Sequence, residues 1–289
     1  MTYNFFSYMG GKHYMLKHIL KLIPPHRIYV EPFLGSGKVF FAKKNSKIEV
    51  LNDFDYKISN LFYVVAFKFE EFYQKINSLV YSRALLKQFR EEIKTNANLT
   101  QPLGNVDFAV KTYFLFNSSF SSNGTTLSYS YQDNRAKTFF NKIQNLDFIH
   151  NRLKNAIIEN QDFEIVINKY SKFEDAFIYL DPPYFNKEFY YNVNFTLQDH
   201  IRLLQILKNS KAKWMISNYD NDLYNKELKD YYKISIKAYK HSYGITGFSK
   251  LKTRPEEYEI IWTNYPIYAQ STEINSAVNQ EINLFEKTF

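Results

Sequence analysis

The tetrapeptide Asp181-Pro182-Pro183-Tyr184 follows an unbroken apolar run, Phe177 to Leu180, so a carboxylate stands where a buried strand should end. Proline ends strands because it removes a ladder donor and pushes the residue before it into extended geometry. The same residue types also suit the chemistry of an exocyclic amine on a nucleobase. Such an amine is a poor nucleophile, because its lone pair is delocalised into the ring, and it needs acceptors for its two protons. The Asp181 carboxylate can accept one N–H and the carbonyl of Pro182 the other, drawing the nitrogen toward tetrahedral geometry. Pro182 and Pro183 hold that carbonyl rigidly and bring no competing N–H, while Tyr184 offers a π-face to an extruded base.

A second group of residues points to the other reactant. Glu31-Pro32-Phe33-Leu34-Gly35-Ser36-Gly37 lies between an apolar strand pattern and a helix start, where glycine lets a ligand approach backbone N–H groups. The third glycine of a dinucleotide fingerprint is missing, since Lys38, Val39 and Phe40 follow Gly37, and a pyrophosphate ligand such as NAD is disfavoured. Asp53 falls 22 residues after Glu31, at the end of the next strand pattern, where a carboxylate in such folds reaches ribose hydroxyls. A nucleoside without a diphosphate fits both facts, and S-adenosylmethionine is such a molecule.

These groups must sit on strands that end at them. "RIYVEPFLGSGKVFFAKK" followed by "KIEVLNDFD" reads as a β-α-β unit. Later, "NAIIENQDF", "AFIYLDPPY", "AKWMISNYD", "YKISIKAY" and "YEIIWTNY" each present a strand, separated for the most part by helical patterns. Among these, "TLQDHIRLLQILKNS" starts on a capping box of Thr196 and Asp199. Alternating β and α predicts an α/β fold with a mostly parallel sheet covered on both faces. Residues 56 to 155 break that rhythm with helical patterns and a segment rich in Ser, Asn and Gly, where Asn123-Gly124 signals a β-hairpin. Residues 1–55 and 156–265 are therefore expected to form the catalytic domain, 56–155 an inserted, mainly helical recognition domain, and 266–289 a C-terminal extension.

Composition narrows the function classes. The 289 residues are 45% hydrophobic and contain no cysteine, which excludes disulfides, thiolate zinc sites and cysteine nucleophiles. The six histidines show no paired spacing, so no metal is expected. No apolar run reaches the roughly 20 residues of a membrane span, and the N-terminus lacks a signal-peptide plan, so no membrane is expected and the cytoplasm is the default. A net charge of +8 makes a polyanion a plausible partner. Residues 111–154 hold six Lys or Arg against Asp133 and Asp147. Arg135 and Lys137 there suit phosphate contact, and Asn117, Ser119, Ser122 and Asn123 offer groups for base edges.

The ordered set of motifs resembles the Dam-type DNA N6-adenine methyltransferases, the α group of the D12 class, which are class I S-adenosylmethionine enzymes. "YMGGKHYML" resembles the family's N-terminal glycine-glycine-lysine motif, "VEPFLGSGKVFF" its cofactor loop, "LNDFD" its ribose-binding strand end and "DPPYF" its catalytic tetrapeptide. "HIRLLQILKNSKAKWMISNYD" and "RPEEYEIIWTNY" resemble its later elements. The resemblance implies a Rossmann-like fold and methyl transfer from S-adenosylmethionine to adenine N6 in a specific sequence of double-stranded DNA, after base flipping. It also implies a cognate restriction endonuclease as a companion in a restriction-modification pair. Related tetrapeptides serve methyl transfer to other planar nitrogens, cytosine N4 or an RNA base, and a catalytically silent DNA-binding module is the reading from another class. Carried over by position, Tyr8, Met9, Gly10, Lys12, Glu31, Phe33, Gly35, Ser36 and Gly37 would line the cofactor pocket, with Asp53 on the ribose and Asp181 shared with the catalytic group. Asp162 and Phe163 resemble the segment bordering the cofactor's adenine, although Asp162 suits a helix cap equally well.

Overall fold

The computed structural model describes residues 5–6, 15–96, 102–119, 127–128, 133–185, 195–239 and 256–267. Its framework is one seven-stranded sheet in the order β3-β2-β1-β4-β5-β7-β6. The strands are β1 (Ile28–Glu31), β2 (Ile48–Asn52), β3 (Ile157–Glu159), β4 (Ala176–Leu180), β5 (Lys213–Tyr219), β6 (Tyr232–Tyr239) and β7 (Glu256–Thr263). From β3 across to β5 every neighbouring pair is parallel, and β7 runs antiparallel to both β5 and β6. This is the Rossmann-like, mostly parallel α/β sheet expected of a methyltransferase. Val30 pairs with Val50 on one side and Ile178 on the other, so β1 lies between β2 and β4. The chain winds outward from β1 to β3 and then returns to β4, and such a reversal opens a crevice at the carboxyl ends of the strands.

Both faces of the sheet are covered, which is why the inner strands read as continuous apolar runs instead of alternating ones. Period-two geometry still divides them. Tyr29, Leu51, Phe177, Tyr179, Met215 and Ile261 enter one core, whereas Val30, Val50, Ile178, Leu180, Trp214, Ile216 and Ile260 enter the other. The second core is closed by α9 (Phe163–Tyr170), α10 (Leu197–Lys208) and α11 (Asp222–Glu227). Helix α10 begins on the expected capping box, with the Thr196 side chain accepting from the Asp199 N–H and the Asp199 side chain from the Thr196 N–H.

Between β2 and β3 lie α3 (Tyr56–Phe67), α4 (Phe69–Asn77), α5 (Arg83–Asn96), α6 (Val106–Ser118), α7 (Arg135–Gln144) and α8 (Leu146–Leu153). Asp55 caps α3 by accepting from the Lys57 N–H at 2.9 Å. Helix α6 buries Phe108, Ala109, Val110, Tyr113, Phe114 and Leu115, an almost all-round apolar surface that makes it the centre of this group. Its side chains belong to the same continuous core as Tyr29 and Phe177 of the sheet. At the end of α6, Ser119 forms an antiparallel bridge with Leu127, and the Ser128 N–H donates to the Ser118 carbonyl at 2.7 Å. The Tyr81 hydroxyl reaches the carbonyls of Ser118 and Ser128 at 3.1 and 2.6 Å. The base of the predicted hairpin is therefore clamped, while its turn at Asn123-Gly124 lies outside the described residues.

A buried ionic group also joins the two halves. After α2 (Lys38–Ala42), the Lys43 ammonium donates to Glu49 of β2, which also receives the guanidinium of Arg152 from α8. The Arg152 guanidinium lies 3.7 Å from the Phe40 ring centroid. Among the described residues no helix is long and apolar enough to cross a membrane.

Candidate active site

Strand β1 is buried along its whole length, so its last side chain, Glu31, is only 2% exposed. Burial pushes the Glu31 carboxyl up to about 8, the nearby Asp181 charge adds to the rise, and the Tyr29 hydroxyl, donating at 2.7 Å, works against it. The loop after it turns tightly because the Gly37 N–H donates to the Leu34 carbonyl at 2.8 Å. Gly37 has φ +66, a left-handed conformation that disfavours a side chain, and a Cβ there would stand 3.1 Å from the Phe62 ring. Gly35 is also left-handed, with φ 51, and its N–H donates to the Asp53 carboxylate at 2.8 Å.

Asp53 stands one residue beyond β2 and receives a second backbone N–H, from Asp55, at 2.9 Å. It is partly exposed, enough for a ligand to reach, while the protein packed around it and the neighbouring Asp55 push its carboxyl up to about 7. The residue before it is a tether that the sequence did not disclose. Asn52 is fully buried and donates to the carbonyls of Pro32 and Gln161 at 3.0 and 3.1 Å, while accepting from the Gln161 N–H at 2.8 Å. It ties the cofactor-type loop after β1 to the turn after β3. Phe54, which follows Asp53, is 62% exposed. In the sequence its mark is an aromatic set between two acids, Asp53 and Asp55.

Asp162 is the N-cap of α9, accepting from the Glu164 N–H at 2.8 Å, so the capping half of its double reading is present in the fold. Its two carboxylate oxygens also accept from Arg202 of α10 at 3.0 Å each. Arg202 donates further to Glu164 and Asp199, and its guanidinium lies 4.4 Å from the Phe163 ring centroid. Burial opposes the charge on Arg202, but three carboxylates outweigh it and raise its pKa. Phe163 is buried and its ring packs against Phe33 and Phe195 at centroid separations of 5.5 Å. Nothing in the sequence around Arg202 marked it as the anchor of this corner, because its three partners come from two helices.

The tetrapeptide continues β4, which adjoins β1 in the ladder. Asp181 is partly exposed and its carboxylate accepts from the Ser217 hydroxyl of β5 at 3.2 Å. Pro182 and Tyr184 are buried, and Pro183 is partly so. The Tyr184 hydroxyl donates to Glu259 of β7 at 2.9 Å, and its ring meets that of Tyr219 edge-on, 84° apart with centroids at 4.6 Å. The Phe185 N–H donates to the Asn218 side chain at 3.3 Å.

Glu31, Gly35, Ser36, Gly37, Asp53 and Asp181 thus gather at the carboxyl ends of three adjacent parallel strands, β2, β1 and β4. Tyr8, Met9, Gly10 and Lys12 lie outside the described residues. Of the residues expected to face DNA, Asn117, Arg135 and Lys137 stand on helices between β2 and β3. Arg135 and Lys137 stand on the first turn of α7, Arg135 being 3.8 Å from Asp133. Asn117 of α6 accepts from Lys142 at 2.9 Å. Ser119 does not present itself as expected, since it is buried and its hydroxyl donates back to the Leu115 carbonyl at 2.6 Å. Ser122 and Asn123 lie outside the described residues. No group of three or more His, Asp or Glu side chains among the described residues is arranged to hold a metal.

The chain is similar to known proteins over most of its length. The model of the family described as D12 class N6 adenine-specific DNA methyltransferase matches residues 8–252. A type II methyltransferase of Lactococcus lactis subsp. cremoris is 25% identical over 284 residues, 90% of this chain and 95% of the relative. The DNA adenine methylase of Salmonella typhi is 22% identical over 86% of this chain and 91% of its own length. A type II methyltransferase of Methanocaldococcus jannaschii is 28% identical over 77% of this chain and 86% of its own.

Proposed function

Because the chain belongs to the D12 class N6 adenine-specific DNA methyltransferases, we propose a division of labour in which the carboxyl ends of β1 and β2 bind S-adenosylmethionine and the end of β4 receives the target adenine. The activity is transfer of a methyl group from S-adenosylmethionine to adenine N6 in DNA. The observation that carries the assignment of roles is the convergence of Glu31, Gly35 and Asp53 with Asp181 on adjacent strand ends.

The residues present fit this cofactor. Asp53 offers a partly exposed carboxylate, held by two backbone N–H donors, to the ribose diol. Three carboxyl groups, those of Glu31, Asp53 and Asp181, surround the place where a sulfonium and an ammonium would lie, and opposite charge at short range favours their ionised forms. Phe54 and the Phe33–Phe163–Phe195 cluster offer aromatic surface beside it, with Arg202 bracing Asp162. When bound, the cofactor supplies an electrophilic methyl group. Asp181 and the Pro182 carbonyl accept the two N–H groups of the adenine amine, raising the availability of its lone pair, and Tyr184, buried in the free protein, stacks on a flipped base once its ring face is uncovered. Ser217 orients the Asp181 carboxylate through its hydroxyl. The helices α3–α8 would form the recognition domain, with Arg135 and Lys137 on phosphates and Asn117 and Asn123 at base edges.

The test is a labelled methyl-transfer assay with DNA, RNA and protein acceptors, followed by methylation-sensitive sequencing of DNA from an expressing host. Incorporation into adenine N6 of duplex DNA at a fixed motif is expected. Wild-type-like turnover by Asp181→Ala, with cofactor still bound, would remove the tetrapeptide from its assigned role.

A further inference from the structure

We propose that Glu259 of β7 is a positioning residue that, together with Tyr219, orients the Tyr184 ring before the target base arrives. The inference rests on the reading of Tyr184 as the surface on which that base stacks. The backbone of the tetrapeptide is already restrained on both sides, by Pro182 and Pro183 within it and by the Phe185 N–H held on Asn218 at 3.3 Å. The ring has two further torsions to fix. The hydroxyl of a tyrosine lies on the axis about which the ring rotates. Its bond to Glu259 at 2.9 Å therefore sets where that axis points, but not the angle of the ring plane about it. The second angle is set by Tyr219, whose ring stands 84° to that of Tyr184 at 4.6 Å.

Both restraints come from a single rung of the sheet, because Tyr219 and Glu259 are direct partners in the β5–β7 ladder. Partners on one rung project to the same face, so Glu259 and Tyr219 act as one unit. The reversed direction of β7 makes this possible. An antiparallel strand brings its early residues, Glu259 among them, to the sheet edge where the parallel strands end. Stacking yields its full benefit only when the ring plane is set beforehand. Otherwise the entropy of freezing the tyrosine is subtracted from the contact when the base binds.

The experiment uses the full chain with S-adenosylmethionine and a duplex carrying 2-aminopurine at the methylated position, once sequencing has identified it. Binding by the wild type should raise the fluorescence as the base unstacks. Glu259→Ala should change that fluorescence and lower kcat/KM for DNA about tenfold, equivalent to about 1.4 kcal/mol. Cofactor affinity and the thermal midpoint should hold. Glu259→Gln, which keeps an acceptor oxygen, should recover most of the loss. Tyr184→Phe should match Glu259→Ala, and the double variant should lose no more than either single one. Full fluorescence and turnover in Glu259→Ala would overturn the proposal, as would additive losses in the double variant. A parallel loss of cofactor affinity and thermal midpoint would also overturn it, since that would mark Glu259 as support for the fold alone. Wild-type DNA affinity, fluorescence and turnover in Tyr184→Ala would refute base stacking itself, a failure distinct from that of Glu259.

Discussion

Replacing Asp53 by Asn should change how cofactor binding depends on pH, and the size of the change follows from the site. The Asp53 carboxyl is pushed up to about 7, by the protein packed around it and by the Asp55 charge. Ribose hydroxyls donate, so they favour the ionised carboxylate. Binding therefore lowers the pKa, and affinity rises as pH climbs through 7. With a pKa of about 7 roughly one molecule in ten is ionised at pH 6 and nine in ten at pH 8, so affinity should rise about tenfold across that interval. Asp53→Asn removes the titration and should flatten this rise, leaving a weaker affinity that no longer changes near pH 7. Glu31, pushed up to about 8 by burial, adds a second rise about one pH unit higher, which the substitution should spare. Isothermal calorimetry with S-adenosylhomocysteine at half-unit steps from pH 5.5 to 9, at constant ionic strength, measures both. A flat wild-type profile through pH 6 to 8, or a variant profile superimposable on the wild type, would refute the assignment of Asp53 to the ribose.

Other substitutions test the remaining parts of the account. Asp181→Ala should abolish methyl transfer while calorimetry still finds near-normal cofactor binding. Gly37→Ala forces a side chain into a left-handed position 3.1 Å from the Phe62 ring, so unfolding by urea should show a loss of about 2–4 kcal/mol. Glu49→Gln leaves the Lys43 and Arg152 cations facing each other in the interior. The same measurement should show a loss of about 3–5 kcal/mol, and one below about 1 would contradict the buried triad. Arg135→Ala or Lys137→Ala should weaken binding to all DNA sequences alike and flatten its salt dependence by about one unit per lost phosphate contact, as read from titrations between low and moderate salt.

Local signals in the sequence announced much of this molecule. Apolar runs ending on Glu31, Asn52 and Leu180 marked strands that end at the site, and Thr196 and Asp199 marked a helix start, because capping and period are short-range effects. Contacts made across the fold were invisible. Glu259 lies 75 residues from Tyr184, and Arg152 lies 103 from Glu49. No periodicity encodes such pairs, nor does it reveal that β7 inserts between β5 and β6. Ser119 shows how local context can override such a signal. A Ser beside Asn and Gly reads as exposed recognition surface, but its position at the end of α6 lets the hydroxyl bond back to Leu115 and turns the side chain inward.

The shared aromatic core bears on how a protein of this plan can acquire a new target. Tyr29 and Phe177 of the sheet, Phe62 of α3, and Phe114 and Phe139 of α6 and α7 belong to one packed interior. A cassette cut out near residues 55 and 155 would therefore leave raw apolar surface on both pieces, and a transplant from a relative would have to match it ring for ring. Chimeras joined there should come out insoluble, while exchanges confined to the short stretch between α6 and α7 should be tolerated. Changes of sequence preference would then be made by substitution within that stretch, and the enzyme should melt in a single transition with no surviving half.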